Sequence, residues 1–169
     1  MLAVSEKEFQ SLVMSKTAPE SIELQKFLPY RLSIVTNKVS SKLASLYSDR
    51  FGISIAEWRV MAVLGQKSNL SADEVCAMTE MDKVSVSRAV TKLMKKKQLL
   101  RNFSKEDKRR SILKLSRSGY AIYMQIVPLA LSFEQEIVKK LSAKEQGQLE
   151  NLLNKLDLSA TEISALSIE

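Results

Sequence analysis

The side chains in this sequence best suited to chemistry are cations and short hydroxyls, not nucleophiles. Lys83, Ser85, Ser87, Arg88, Lys92 and Lys95 fall within one stretch of thirteen residues, at spacings that place them together on the outer side of a helix. An arginine so placed has the geometry to donate two hydrogen bonds to O6 and N7 of a guanine. Serine hydroxyls reach base edges or phosphate oxygens, and lysines meet phosphates as point charges. Lys96 extends the phosphate-matching group, although lysines near a helix C-terminus also have a purely local role in complementing the helix dipole. A second basic set follows in Lys105, Lys108, Arg109 and Arg110, interrupted by Glu106 and Asp107. An arginine on a projecting loop suits the narrow, strongly negative minor groove of A·T-rich DNA. Asp107 is a poor neighbour for phosphate; it either pairs with and aims Arg109 or forms a turn without a partner.

Little in the chain favours catalysis. There is no histidine and only one cysteine, Cys76, so imidazole acid–base chemistry and an intramolecular disulfide are both excluded. No nucleophile–base pair, glycine-rich phosphate loop or metal-ligand spacing occurs, and neither enzyme activity nor a cofactor is expected. Cys76 reads as a small buried residue. The N-terminus lacks the apolar region of a signal peptide, and the most apolar stretch, Ala121 to Phe133, is interrupted by Gln125 and Pro128. The expectation is a soluble cytoplasmic protein that does not engage a membrane.

Charge is concentrated. Residues 1–53 carry 7 positive and 5 negative side chains, residues 54–116 carry 14 and 7, and residues 117–169 carry 5 and 7. The middle segment therefore holds a net +7, equal to that of the whole chain. An ordinary solvated face mixes its signs, so a surface for a polyanion is the better reading.

The elements that must position these groups announce themselves by Ser-x-x-Glu, in which the serine caps one orphan N–H and the glutamate reaches back to the cap's own amide. Four such pairs occur: Ser5/Glu8, Ser54/Glu57, Ser71/Glu74 and Ser142/Glu145. The first opens a short helix in an extension over 1–20. A longer helix starts near Pro29 and runs to Gly52, with Leu32, Val35, Val39, Leu43, Leu46 and Tyr47 on one stripe. The third helix spans Ser54 to Gly65, turns Ile55, Trp58, Met61 and Leu64 inward, and ends on Gly65 as a C-terminal cap. A short helix from Ser71, with Leu70 and Val75 placed to staple its cap, is followed after Thr79-Glu80-Met81 by one capped by Asp82. That pair has helix-turn-helix spacing over about 71–97. Its second member turns Val86, Ala89, Val90 and Leu93 inward. Leu99 to Phe103 and Ser111 to Leu115 form a hairpin, so 99–115 reads as a wing with the basic loop at its tip. A long helix from Ser116 to about Leu141, interrupted or bent near Pro128, and a last one after Ser142 carrying Leu149, Leu152, Leu153 and Leu156 complete the chain. The fold class is mainly α with a small β-wing. Residues 54–116 hold the winged helix-turn-helix, with dimerisation helices in 21–53 and 117–169.

The segment from Ser54 to Gly119 resembles the MarR family of bacterial regulators. Ile55-Ala-Glu-Trp-Arg-Val-Met-Ala-Val-Leu64 is similar to that family's second helix and Asp82-Lys-Val-Ser-Val-Ser-Arg88 to the start of its recognition helix. Asp107-Lys-Arg109 matches the Asp-x-Arg signature of its wing, and Leu115-Ser-Arg-Ser-Gly119 occupies the place of Leu-Thr-x-x-Gly. The resemblance implies a homodimer, paired through first and last helices, that binds double-stranded DNA at pseudo-palindromic operators as a repressor and, as often in the family, is released by a small phenolic or other apolar effector. Lys97 departs from the family, which has glycine there, so the recognition helix ends either on a left-handed non-glycine residue or differently. Tyr30, Arg31, Trp58 and Tyr120 lie where the family's effector pocket would be, and packing explains each equally well. The other reading of the fold is a winged-helix protein–protein module without DNA binding, for which the acidic Glu80, Asp82, Glu106 and Asp107 are the only support.

Overall fold

A computed structural model describes residues 21–103 and 111–163. The extension with Ser5/Glu8 and the wing-tip residues Lys105, Asp107, Lys108, Arg109 and Arg110 lie outside the described residues. As expected, the described residues are mainly helical, with one two-stranded antiparallel sheet among them. It divides into two compact units, Met1–Lys42 and Leu43–Glu169.

In the first unit, helix α1 (Leu28–Ser45, its end passing into the second unit) begins beside Pro29, whose fixed φ suits a first turn. It buries none of its side chains and leaves Leu28, Tyr30, Leu32, Val35 and Val39 exposed.

The second unit contains the core. Helix α1 ends at Ser45 and not at Gly52, because the chain turns there to drive Tyr47 into the interior at 1% exposure. A single further turn, α2 (Ser48–Phe51), is what Gly52 terminates, with φ 63° and its N–H on the Ser48 carbonyl. Helices α3 (Ile55–Gln66) and α4 (Ala72–Thr79) open on complete capping boxes, Ser54/Glu57 and Ser71/Glu74. Helix α5 (Lys83–Lys95) is capped by Asp82, and α6 (Arg117–Val138) by Ser116. Helix α7 (Ala143–Glu162) starts on the Ser142/Glu145 box. Pro128 is carried within α6 without ending it.

Strands β1 (Leu99–Phe103) and β2 (Ser111–Leu115) pair with Leu99 opposite Leu115 and Phe103 opposite Ser111. Leu70 adds a bridge to the outer side of the hairpin, its carbonyl accepting the Leu113 N–H at 2.7 Å. The core gathers the inward positions of each element: Val60, Met61 and Leu64 of α3, Val75 of α4, Val86, Ala89, Val90 and Leu93 of α5, then Leu99, Leu113 and Ile126. Trp58 and Cys76 pack against it half-buried. Gly65 lies inside α3 and is not its cap. A Cβ there would come within 2.6 Å of the Tyr123 ring, so the glycine serves close approach of α6. Among the described residues no helix is long and apolar enough to cross a membrane, and no cluster of side chains could hold a metal ion.

Candidate nucleic-acid interface

Helix α5 separates apolar from polar side chains more sharply than the other long helices described, and its outward side collects most of the groups singled out above. Asp82 fixes its start, accepting the Ser85 N–H at 2.8 Å and the Ser85 hydroxyl at 2.6 Å. Those bonds from Ser85 hold the Asp82 carboxyl below its ordinary range. Ser85 is therefore half-buried and engaged at the cap, whereas Ser87 and Arg88 are exposed. Lys83 sits 3.0 Å from Asp73 in α4, a contact that raises its pKa through a hydrogen bond and Asp73's charge. Both ends are open to solvent, so the pair adds little stability and exchanges readily. Lys92 and Lys95 project from the exposed side one and two turns further on. Thr91 returns its hydroxyl to the Ser87 carbonyl at 2.8 Å. Arg88, Lys92 and Lys95 make no ion pair among the described residues, so this end of the helix presents uncompensated positive charge.

Lys96 is different from its neighbours. Its Nζ lies 2.6 Å from both the Gly52 carbonyl and Glu57 Oε1, not on the phosphate-matching side where the sequence alone placed it. The physical reason is Glu57, whose side chain is only 3% exposed and must be compensated where it lies. Desolvation pushes the Glu57 carboxyl up, but the hydrogen bonds from Lys96 and Ser54 and the Lys96 charge outweigh it and leave the pKa lowered. Sequence spacing could not reveal this pair, since 39 positions separate the partners.

The far end of α5 settles the matter of Lys97. It is left-handed, at φ 57°, and forms the C′ position of a Schellman cap: its N–H reaches the Met94 carbonyl and the Gln98 N–H reaches Leu93, each at 2.9 Å. The start of α6 then closes over the same two peptides. Ser116 and Ser118 hydroxyls donate to the Lys97 carbonyl at 2.7 and 2.9 Å, and the Ser116 N–H donates to Gln98 at 3.0 Å. Gly119 is required there, because a Cβ would overlap the Gln98 carbonyl oxygen. Thus the Leu115-Ser-Arg-Ser-Gly119 segment anchors the reading helix to the helix that leaves the wing.

A row of rings joins α3 to α6. Trp58 stacks on Tyr123 with centroids 6.1 Å apart, Tyr47 meets Trp58 at 5.7 Å, and Tyr120 meets Tyr123 at 5.7 Å. Burial pushes the Tyr47 phenol up to about 12, with the charge of Arg59 opposing the shift.

Comparison with known proteins agrees with this geometry. A sequence model of the MarR family matches residues 51–110. The multiple antibiotic resistance protein MarR of Escherichia coli (strain K12) is 28% identical over 127 residues, covering 75% of this chain and 88% of that protein. The crystal structure of a MarR/EmrR family transcriptional regulator from Acinetobacter sp. ADP1 superposes with a TM-score of 0.78 at 30% identity, over 84% of this chain and all of the other. A mutant MarR from E. coli complexed with operator DNA gives a TM-score of 0.70 at 27% identity, over 80% of this chain and 99% of the other.

Proposed function

The chain belongs to the MarR family of winged-helix, DNA-binding transcriptional regulators, and on that premise we propose that it acts as a homodimeric repressor of a pseudo-palindromic operator. The observation that carries this reading is the outer side of α5. It exposes Ser87, Arg88, Lys92 and Lys95 opposite a fully apolar inner side, in the one segment that holds the chain's net positive charge. The related E. coli protein complexed with operator DNA supports the same use of the fold.

In this assignment α5 lies in the major groove. Arg88 and Ser87 read base edges, Lys83, Lys92 and Lys95 hold phosphates, and Ser85 stays at the cap and contacts the backbone at most. The wing cations Lys105, Lys108, Arg109 and Arg110 probe the adjacent minor groove, with Asp107 aiming Arg109. Two copies pair through the apolar faces that α1, α6 and α7 leave uncovered, including Val35 and Val39 on α1 and Leu149, Leu152 and Leu153 on α7. Release by a small apolar or phenolic effector follows the family pattern, and the ring row of Trp58, Tyr120 and Tyr123 offers such a molecule a stacking surface. The protein works by binding and not by catalysis, in the cytoplasm where its operator is.

The test is the affinity for duplex DNA as a function of salt. Log K should fall linearly with log salt, by about 0.9 per phosphate neutralised. Arg88→Ala should relax sequence preference, and Lys92→Ala should weaken all sequences alike and shallow the slope by about one. Binding that is absent, or indifferent to salt, would rule the reading out.

A further inference from the structure

One of the two most outward side chains of α5 is neither a cation nor a hydroxyl. At 100° per residue, Val84 lies roughly 170° from the mean direction of the buried positions Val86, Ala89, Val90 and Leu93, as far outward as Lys95 and with Arg88 on one side and Thr91, then Ser87, on the other. The structure agrees, leaving Val84 57% exposed in the first turn while those four are buried. We propose that Val84 is a specificity-determining residue that reads the C5-methyl group of a thymine beside the guanine read by Arg88. This rests on the placement of α5 in the major groove given above.

Three observations converge on that assignment. First, Ser85, the hydroxyl nearest the helix start, is engaged by Asp82 through both its N–H and its Oγ, so it is not the outward group of the first turn. Secondly, Lys83 is drawn sideways towards Asp73 in α4. That leaves an isopropyl group as the central feature of the turn that enters a groove most deeply. Thirdly, among the groups a major groove presents, only the thymine methyl is apolar. Seating a valine on the O6 and N7 of guanine or the N4 of cytosine would strip those atoms of water without replacing their hydrogen bonds. Valine also suits the task because its branched Cβ leaves little rotamer freedom to lose. Val84 and Arg88 are one turn apart, about 6 Å along the helix axis. Against a rise of about 3.4 Å per base pair, that puts the thymine within one or two base pairs of the guanine.

The experiment begins with sequences selected from random duplexes by the full-length protein. Each thymine of the selected operator is then replaced in turn by deoxyuridine, which differs only in lacking the methyl group. At one thymine in each half-site, next to the guanine whose loss Arg88→Ala tolerates, the replacement should weaken wild-type binding about 4-fold, the worth of one buried methyl. The Val84→Ala variant should bind the thymine and deoxyuridine operators at that position equally, and remain sensitive to changes elsewhere. A flat deoxyuridine series with wild-type protein, or a 4-fold loss that persists unchanged in Val84→Ala, overturns the assignment while leaving DNA reading intact. Selection that enriches no sequence removes the reading on which it stands. Since Val84 is exposed, its truncation does not disturb the core, and the comparison of the two proteins reads the methyl contact alone.

Discussion

Two regions of this molecule obey opposite rules. Between Tyr47 and Ile126 every element contributes to one shared interior, and eleven side chains there are essentially inaccessible to water. In α7, and in the part of α1 that lies in the first unit, the described residues bury nothing, although their sequences are as regularly apolar. The middle region is folded by its own contacts. The flanking helices have apolar stripes whose cover must come from outside the described contacts, and in a regulator read as a homodimer that cover is a second copy. Amphipathic patterning therefore reports that a face will be covered, not what covers it.

The sharpest break of that comparison is Leu93→Ala. Emptying a fully buried position of α5 should cost about 2–5 kcal/mol, read as a lowered urea midpoint that does not vary with protein concentration. Next comes Leu152→Glu combined with Leu156→Glu in α7. Both leucines are exposed, so the substitution should leave the fold of the middle region unchanged and remove at least about 2 kcal/mol of association per protomer. Sedimentation would show a monomer; an unchanged assembly would show that α7 is not where copies meet. Identical chemistry at two glycines should then give opposite signs. Gly119→Ala collides with the Gln98 carbonyl and should destabilise by about 1–3 kcal/mol. Gly147→Ala, in α7 with no atom near the new methyl group, should stabilise by up to about 1 kcal/mol. Equal effects would erase the distinction between the regions.

The smallest effect is on acid stability. Because the folded-state pKa of Glu57 is depressed, its contribution is present above the ordinary glutamate range and is lost as pH falls through the folded value. The acid limb of unfolding, followed below about pH 4.3, should therefore be shallower in Glu57→Gln than in the wild type. An unaltered limb would mean that the Lys96 contact carries no differential interaction.

Local signals in the sequence were sufficient for much of the fold. Three of the four Ser-x-x-Glu pairs fall in the described residues, and all three form reciprocal capping boxes, because that motif needs only residues three apart. The inward positions of α5 and the hairpin were legible for the same reason, since period and chain separation are short. Features that depend on tertiary contact were not. Gly65 looked like a terminator, but its missing side chain accommodates Tyr123, nearly sixty positions on. Lys96 looked like a phosphate ligand until Glu57 was seen beside it. Tyr47 was legible as an apolar position, but the helix expected to reach Gly52 stops at Ser45 so that Tyr47 can enter the core, a break that the periodicity does not express. In the candidate interface the cations of α5 were visible as a set. Ser85's engagement at the cap and the central place of Val84 emerge only when each side chain has a direction.

The Lys97–Gln98 cap also has a mechanical meaning. Two serine hydroxyls, one backbone N–H and one glycine from the cap and first turn of α6 all bear on that dipeptide, while the same dipeptide closes the C-terminal cap of α5 and leads into β1. Helix α6 is about 33 Å long at 1.5 Å per residue. Gripped at one end so close to the reader, it is a lever with a very short arm at α5 and a long arm reaching away from it. A small swing imposed at the Val138 end should therefore reach the reading helix through these bonds, with no loop between the two helix ends at that contact.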